Sequence, residues 1–218
     1  MFIGHWAPAL VAAAVSHKAP RLGTLFIAAQ LVDWAFVVLV LFGVEALRIT
    51  PGISVMNPLD LYHMPWTHSL LGSVGFAVAF GLALWFKTGN RVTAAIVGAV
   101  VLSHWFLDLL VHVPDLTLAG SPPRLGLGLW NYPWIEMPLE LGITFGALWW
   151  YAKKRRPAEG RVLVLGALLL ALQAFNWFGP AEREVTIFTS LLALFAFGLV
   201  TLTAHWVGKS NRIPPKAL

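Results

Sequence analysis

The chain contains no cysteine and little charge. Only 11% of its 218 residues are Asp, Glu, Lys or Arg, whereas 58% are hydrophobic. Without cysteine, disulfide bonds and thiolate chemistry are excluded. A soluble domain would carry charge on about a quarter of its residues, so that class of protein is excluded as well. The composition therefore predicts an integral membrane protein.

Long apolar runs separate the few charged residues. Each approaches or exceeds the roughly 20 residues that an α-helix needs to cross the hydrocarbon core of a bilayer. A shorter apolar stretch at 2–15 cannot cross alone and is expected to form a half-span or re-entrant helix. With no internal repeat and no long linker, we expect a single all-α polytopic domain over residues 1–218. The six predicted transmembrane helices are 22–47, 67–86, 92–113, 134–152, 162–178 and 185–207.

The basic residues are divided unevenly between the two sets of connections. Twelve of the 15 Lys and Arg residues lie on one side, and only Arg48, Arg124 and Arg183 lie on the other. Because Lys and Arg accumulate in cytoplasmic loops, the first side is predicted to be cytoplasmic and to hold the C-terminus. The net charge of +5 then reflects contact with anionic lipid, and no nucleic-acid partner is expected.

Ionisable residues also occur inside the predicted spans, in the half that faces away from the cytoplasm. Their depth follows from the helical rise of about 1.5 Å per residue, counted from the nearest cytoplasmic basic residue. One tier lies about 18–20 Å deep, just beyond the midplane, and a second lies about 25–28 Å deep. Imidazoles and carboxylates from separate segments are therefore expected to meet in one volume. The first tier contains His5, Asp33, His104 and Glu140, and the second contains His68, Asp108 and Glu136.

The stretch SHWFLDLLVH holds three such groups at four-residue intervals. Helix residues four apart point in nearly the same direction, so His104, Asp108 and His112 are expected on one face. Glu136 and Glu140 repeat this spacing in the next span. Carboxylates are costly in hydrocarbon unless a cation neutralises them, and imidazole with carboxylate is a ligand set of zinc and other divalent metals. Because the candidates outnumber the ligands of one tetrahedral ion, two or three Zn²⁺ ions are expected.

The connection after the first span adds further candidates. His63 and His68 lie in the stretch DLYHMPWTHSLLG, where Thr67 is the expected N-cap of the second span. Arg124, in the loop LAGSPPRLGLGLW, is the basic residue available there to bind a substrate phosphate. Unpaired N–H groups at the start of the half-span are a second expected phosphate site. The predicted metal ligands are His5, Asp33, His63, His68, His104, Asp108, His112, Glu136 and Glu140.

Four ordered segments resemble those of a known family: GHWAPAL near the start, LVD at 31–33, THSLLG at 67–72 and HWFLDLLVH at 104–112. They are similar to the YdjM-like bacterial inner-membrane proteins, described as LexA-regulated metal-dependent hydrolases. That family is in turn similar to zinc-dependent phospholipases C and single-strand nucleases, which also use an N-terminal amine as a ligand. The resemblance covers the first half of the chain and implies a multinuclear zinc site. It also raises the question whether the Met1 amine is a ligand. Its implied ligands are His5, Asp33, His68, His104, Asp108 and His112.

These features together predict a membrane-embedded, zinc-dependent hydrolase. Zinc lowers the pKa of bound water towards neutrality, and paired ions stabilise charge on the attacked and leaving oxygens of a phosphoester. Asp33, Asp108 or Glu136 would orient the attacking water or accept its proton. The expected substrate is a lipid or lipid-linked phosphate at the extracytoplasmic side of a bacterial inner membrane. Residues 1–152 are expected to build the site and residues 153–218 to act as scaffold.

Other interpretations stay open. Asp and His residues in several spans also build proton- or metal-coupled transporters, although the cytoplasmic halves of these spans are apolar. An interaction subunit would cover the cluster with a partner, and a structural polar cluster would hydrogen-bond each residue between helices. The oligomeric state stays open too. Asp60 and Asp115 are expected to be solvated loop acids, and Gln30 and Asn131 to support the ligands.

Overall fold

Seven α-helices dominate the computed structural model, which describes residues 1–180 and 184–210 of the chain. A 3-10 turn at Ile3–Trp6 leads directly into the first helix. Arg183, Arg212 and Lys216, which count towards the predicted charge asymmetry, lie outside the described residues. The helices are α1 (Ala7–Val15), α2 (Leu22–Leu41), α3 (Leu70–Thr88), α4 (Arg91–Val111), α5 (Pro133–Arg155), α6 (Glu159–Phe178) and α7 (Ile187–Gly208).

Five of the described helices, α2, α3, α4, α6 and α7, are long and apolar enough to cross a membrane. Only 22–39% of the residues in each apolar window are buried within the chain, so most of them are at least partly exposed. Exposed apolar surface on this scale suggests a lipid bilayer environment. The sixth predicted span coincides with α5, whose 23 residues include Glu136, Glu140 and a basic last turn. The mostly helical architecture is confirmed, whereas six membrane spans are not.

The predicted N-terminal half-span forms as the 3-10 turn followed by the nine residues of α1. Trp6 is fully buried and stacks on Phe26 of α2, with ring centroids 5.8 Å apart. Its indole N–H also donates to the Phe26 carbonyl oxygen, 3.3 Å away. At the other end of α1, Arg155 of α5 donates to the carbonyl oxygens of Ala13 and Ser16. Both ends of this short helix are therefore tied to longer ones.

Helices α3 and α4 pack closely because two glycines face the opposite backbone. A Cβ atom at Gly81 would lie 3.1 Å from the carbonyl oxygen of Ala94, and one at Gly98 would lie 3.3 Å from that of Ala77. Because a Cβ atom at either position would make a tight contact with the opposite backbone, glycine favours this close approach of the two helices. The packing brings the start of α3 next to the end of α4, where His68 and His112 lie.

The first predicted span, 22–47, is wrong at its C-terminal end. Helix α2 ends at Leu41, and Gly43 follows with a φ of +69°, in the left-handed region that stops a helix. The apolar run continues beyond that point, so hydropathy alone did not reveal the end of the helix. Residue Glu45, which the prediction placed at the end of the span, lies in the turn that follows.

Two short antiparallel hairpins, absent from the all-α prediction, form in the connections at the same end of the bundle. Strands β1 (Ala46–Ile49) and β2 (Leu59–His63) pair with Arg48 opposite Asp60. Strands β3 (Leu116–Thr117) and β4 (Arg124–Leu125) form the second hairpin. Asp60 is buried and accepts a hydrogen bond from Arg48 at 2.7 Å, so its predicted solvation is wrong.

Candidate metal centre

Four separate segments supply the six residues of the central cluster. His5 comes from the 3-10 turn, Asp33 from the middle of α2, and His68 from the chain just before α3. Helix α4 supplies two more from its last turns, and one follows at its C-cap; these three are His104, Asp108 and His112. Two sets of three ligand atoms lie within 4.8 Å of one another and could each hold a metal ion. The sets are His5, His104, Asp108 and Asp33, His68, His104.

One oxygen of Asp108 closes a ring of four ligand atoms. Asp108 Oδ2 lies 3.0 Å from His104 Nε2 and 3.7 Å from His68 Nε2. Asp33 Oδ1 lies 3.3 Å from each of the same two nitrogens. Four atoms at the corners of a zinc tetrahedron with bonds of about 2.0–2.1 Å are separated by about 3.3–3.4 Å. His68, His104 and Asp33 are thus spaced as ligands of one divalent ion, and Asp108 Oδ2 lies beside the two imidazoles.

The other oxygen of Asp108 faces a second group of atoms. Asp108 Oδ1 lies 2.9 Å from His5 Nε2 and 3.3 Å from His112 Nε2. The amine nitrogen of Met1 lies 3.2 Å from the same oxygen. The rings of His5 and His104 stack with centroids 3.8 Å apart, which brings the two groups together. Each oxygen of Asp108 therefore faces its own group of nitrogen atoms, while His104 is the residue that the two sets of ligand atoms share.

Hydrogen bonds at Nδ1 decide which ring nitrogen of three imidazoles presents a lone pair to a metal ion. His104 Nδ1 lies 2.9 Å from the carbonyl oxygen of Ala29, and His112 Nδ1 lies 2.9 Å from Asp115 Oδ1. Both of those oxygens can only accept, so Nδ1 carries the proton and Nε2 presents a lone pair. His68 Nδ1 lies 2.8 Å from the Thr67 hydroxyl oxygen. All three Nε2 atoms face the carboxylates of the cluster.

A neutral imidazole nitrogen and a carboxylate oxygen are both acceptors, so each of these contacts requires either a proton on the imidazole or a metal ion between the two atoms. His104 Nε2 and Asp108 Oδ2 are only 3.0 Å apart, yet both are buried without a hydrogen-bond partner. An imidazolium would direct its N–H at the carboxylate oxygen and satisfy both atoms. A divalent ion would instead accept electron pairs from both. The donor set and its orphaned atoms therefore fit a metal ion.

Burial of the cluster is nearly complete except at Asp33. Its side chain is 21% exposed, whereas the side chains of the other five residues are at most 5% exposed. Phe36 packs edge-on against the ring of His68, and Trp130 covers His112 with ring centroids 4.2 Å apart. Water or a substrate can thus approach the centre most readily beside Asp33.

The predicted ligand Glu140 lies at the edge of the centre and serves a different set of partners. Its Oε1 accepts hydrogen bonds from the backbone N–H groups of Phe2 at 2.5 Å and Gly4 at 3.0 Å. Its Oε2 accepts from Gln173 of α6 at 2.8 Å. Glu140 therefore binds the start of the half-span, and the N–H groups that we expected to bind phosphate are already occupied.

Glu136 is buried beside Glu140, and its Oε2 has no hydrogen-bond partner among the described residues. It belongs to neither of the two ligand groups. A buried carboxylate with a free oxygen is able to accept a proton or a further ligand. Its predicted roles as metal ligand and proton acceptor stay predictions.

His63 and Arg124 lie away from the cluster, in a surface cavity of about 90 Å³. His63 ends strand β2 with its side chain exposed, because β2 leads the chain over the bundle before His68 enters it. The structure thus does not bring this predicted ligand into the centre. Arg124 donates to the carbonyl oxygen of Tyr62 at 3.2 Å. Asp115, the partner of His112, lines the same cavity, so Arg124 borders the centre without contacting it.

No family model, curated protein or solved structure matches this chain. The geometry of the cluster is therefore the basis for any function assigned to it.

Sequence reasoning missed the residues that orient two of the histidines. Asp115 was expected to be a solvated loop acid, but it is buried and holds His112. Its position three residues after His112, next to the proline that ends the helix, is a signal that could have been used. Thr67 was expected to cap the second span, but Ser69 is the N-cap and Thr67 supports His68 instead. Glu45 carried no such signal, since 23 residues separate it from His68.

Of the two predicted supporting amides, one contacts the cluster. Gln30 donates to Asp33 Oδ2 at 2.5 Å, as expected for a partner of that carboxylate. Asn131 instead accepts from the backbone N–H of Val55 at 3.3 Å, which ties the first outer connection to the loop before α5. Gln30 thus orients a ligand, whereas Asn131 stabilises the loops.

Proposed function

We propose that this protein is a membrane-embedded, metal-dependent hydrolase that cleaves a phosphoester of a lipid or lipid-linked substrate. The observation that carries the proposal is the position of Asp108, whose two carboxylate oxygens each face a separate group of nitrogen ligands. Bridged pairs of ions are typical of enzymes that hydrolyse phosphoesters. The order of motifs that resembles the YdjM-like proteins supports the same activity.

Zinc is the metal we propose, with two ions shared between the groups around Asp108. His68, His104, Asp33 and Asp108 would hold the first ion. His5, His112 and Asp108 would hold the second, with the Met1 amine beside them. When bound, such ions lower the pKa of water towards neutrality and stabilise charge on phosphoryl oxygens.

Orientation of the water, acceptance of its proton and contact with the phosphate are assigned to side chains of the protein. Asp33 is the accessible member of the cluster and is proposed to orient the attacking water. Gln30 holds the other oxygen of that carboxylate and so limits its rotation. Glu136, buried with one oxygen free, is proposed to accept the proton. Arg124 is proposed to contact the phosphate of an incoming substrate from the neighbouring cavity.

The proposed orientation puts this chemistry at the extracytoplasmic side of the membrane. The basic ends of α3, α4 and α5 lie opposite the ends that carry the cluster and the two hairpins. A positive-inside orientation then directs the cluster outwards and the C-terminus inwards, with α5 as a sixth span. Asp33 lies near the middle of α2, so a lipid could reach it from within the bilayer.

Metal analysis combined with hydrolysis assays tests this proposal. The purified protein in lipid nanodiscs should retain about two zinc ions per chain after washing with chelator, as expected of ions that several buried protein ligands hold, and should hydrolyse at least one phospholipid or polyprenyl phosphate. Asp108→Asn should abolish both, whereas Asp60→Asn, a matched change in the outer hairpin, should preserve both. One weakly held ion, together with ion uptake by proteoliposomes, would favour a transporter instead. Firmly bound zinc with no turnover would favour an interaction subunit.

A further inference from the structure

A buried carboxylate outside the cluster is connected to it through one hydroxyl group. Glu45 lies in the turn after α2 and is only 1% exposed. Its Oε1 accepts hydrogen bonds from the backbone N–H groups of Trp66 at 2.8 Å and Thr67 at 3.0 Å. Its Oε2 lies 2.6 Å from the Thr67 hydroxyl, which lies 2.8 Å from His68 Nδ1. Glu45, Thr67 and His68 therefore form one continuous hydrogen-bonded chain.

The direction of these hydrogen bonds follows from the carboxylate of Glu45. An ionised carboxylate can only accept, so the Thr67 hydroxyl donates its hydrogen to Glu45. The hydroxyl oxygen is then available as an acceptor, and His68 Nδ1 must donate to it. Nε2 of His68 is consequently left with its lone pair, 3.3 Å from Asp33 Oδ1.

His68 differs in this respect from the other two oriented histidines. The partners of His104 and His112 are a carbonyl oxygen and a carboxylate oxygen, neither of which can donate. A threonine hydroxyl can donate or accept, so Thr67 alone does not decide which nitrogen of His68 carries the proton. Glu45 removes that ambiguity.

We propose that Glu45 is a positioning residue that acts through Thr67 to keep His68 in the tautomer able to bind a metal. The inference rests on the proposed metal centre, but not on the reaction assigned to it. Residues that orient metal-binding histidines in this way change metal affinity by about 10–100-fold when they are replaced. Glu45 and Thr67 are expected to contribute an effect of that size to the ion that His68 contacts.

Replacement of Glu45 by glutamine is the sharpest test, because it should reverse the direction of both hydrogen bonds between residue 45, Thr67 and His68. The two backbone N–H groups will hold the amide oxygen at the position of Oε1, so the amide NH₂ must face the Thr67 hydroxyl. The hydroxyl then accepts from the amide and donates to His68 Nδ1, which moves the imidazole proton to Nε2. Glu45→Gln preserves shape and packing while it blocks the nitrogen that would bind the metal.

Two threonine variants separate this effect from packing. Thr67→Val keeps the branched shape and removes the hydroxyl, whereas Thr67→Ser keeps the hydroxyl and restores the link. Zn²⁺ affinity, measured by competition with a chromophoric chelator, should fall about 10–100-fold in Glu45→Gln and in Thr67→Val and stay near the parent value in Thr67→Ser. In the double variant, Glu45→Gln should add no loss to that of Thr67→Val.

Histidine ¹⁵N NMR of the metal-free protein tests the tautomer independently of metal binding and of turnover. His68, assigned by its loss in His68→Gln, should carry its proton on Nδ1 in the parent and in Thr67→Ser, and on Nε2 in Glu45→Gln. A parent that binds zinc without hydrolysing any phosphoester would reject the proposed reaction and leave this inference intact. An unchanged tautomer and unchanged Zn²⁺ affinity in Glu45→Gln, or additive losses in the double variant, would overturn it.

Discussion

Helices α1–α5 and helices α6–α7 differ sharply in what they bury. The first group buries carboxylates and imidazoles from five segments at one end of the bundle. Among the described residues of the second group, buried polar side chains are few, and the one that reaches the cluster region is Gln173. Buried charge needs a cation or a network of hydrogen bonds, whereas buried apolar surface needs only packing. The contrast separates the helices that carry the candidate metal centre from the helices that pack around them.

The largest effect that would sharpen this comparison is expected from Asp108→Ala. Both proposed ions would share this carboxylate, so its removal should release both and reduce hydrolysis by more than about 100-fold, beyond the 10–100-fold loss typical of supporting residues. Metal content by plasma mass spectrometry and turnover in nanodiscs measure the two effects. Retention of both metal and activity would remove Asp108 from the site.

The second-largest effect, a loss of stability, is expected from Glu140→Ala. Two backbone N–H groups and the Gln173 amide would lose their buried acceptor, and each such loss costs about 1–3 kcal/mol. The free energy of unfolding in mixed micelles should therefore fall by at least about 3 kcal/mol. If Glu140→Ala instead keeps its stability but loses one metal ion, Glu140 is a ligand, as the sequence pattern predicted.

Asp115→Asn should weaken one of the two proposed metal ions and leave the other unchanged. The amide can present an NH₂ group to His112 Nδ1 and so weaken the ion beside His112 by about 10–100-fold. The ion between His68 and His104 should keep its affinity, because Asp115 touches neither residue. Stepwise zinc titration distinguishes the two sites. Equal weakening of both ions would mean that they do not bind independently.

The smallest effect on the metal centre is expected from Gln173→Leu, which tests whether the supporting helices are separate from the centre. The Gln173 amide donates to Glu140 and its oxygen accepts from the Ile3 backbone N–H at 3.4 Å, so each buried partner left unpaired should lower the free energy of unfolding by about 1–3 kcal/mol. Metal content should not change. A lost ion in this variant would contradict the division between the two groups of helices.

Much of the cluster was predictable because helical geometry acts over short and regular distances. Four-residue spacing placed His104 and Asp108 on one face of α4, and their side-chain atoms lie 3.0 Å apart. Depth counting brought Asp33 to the level of His5, and their side chains lie 3.8 Å apart. Both inferences use only the rise and the turn of an ideal helix.

The same rules failed where the chain leaves a helix. Depth counting brought Glu140 of α5 level with His5, but it could not show that the start of the half-span and Gln173 would hydrogen-bond to its two oxygens. Glu45 falls within an apolar run, yet α2 stops before it and the turn carries it to Thr67. Non-helical connections are set by long-range contacts, so hydropathy and periodicity carry no information about them.

Crystals of the protein grown with Zn²⁺ and measured at the zinc absorption edge test the central claim most directly. Two anomalous peaks are predicted on either side of Asp108, each about 2.0–2.2 Å from one of its carboxylate oxygens. The first should also contact His68 and His104, and the second His5 and His112. A map with no peak at Asp108, or with these histidines turned away from it, would contradict the account.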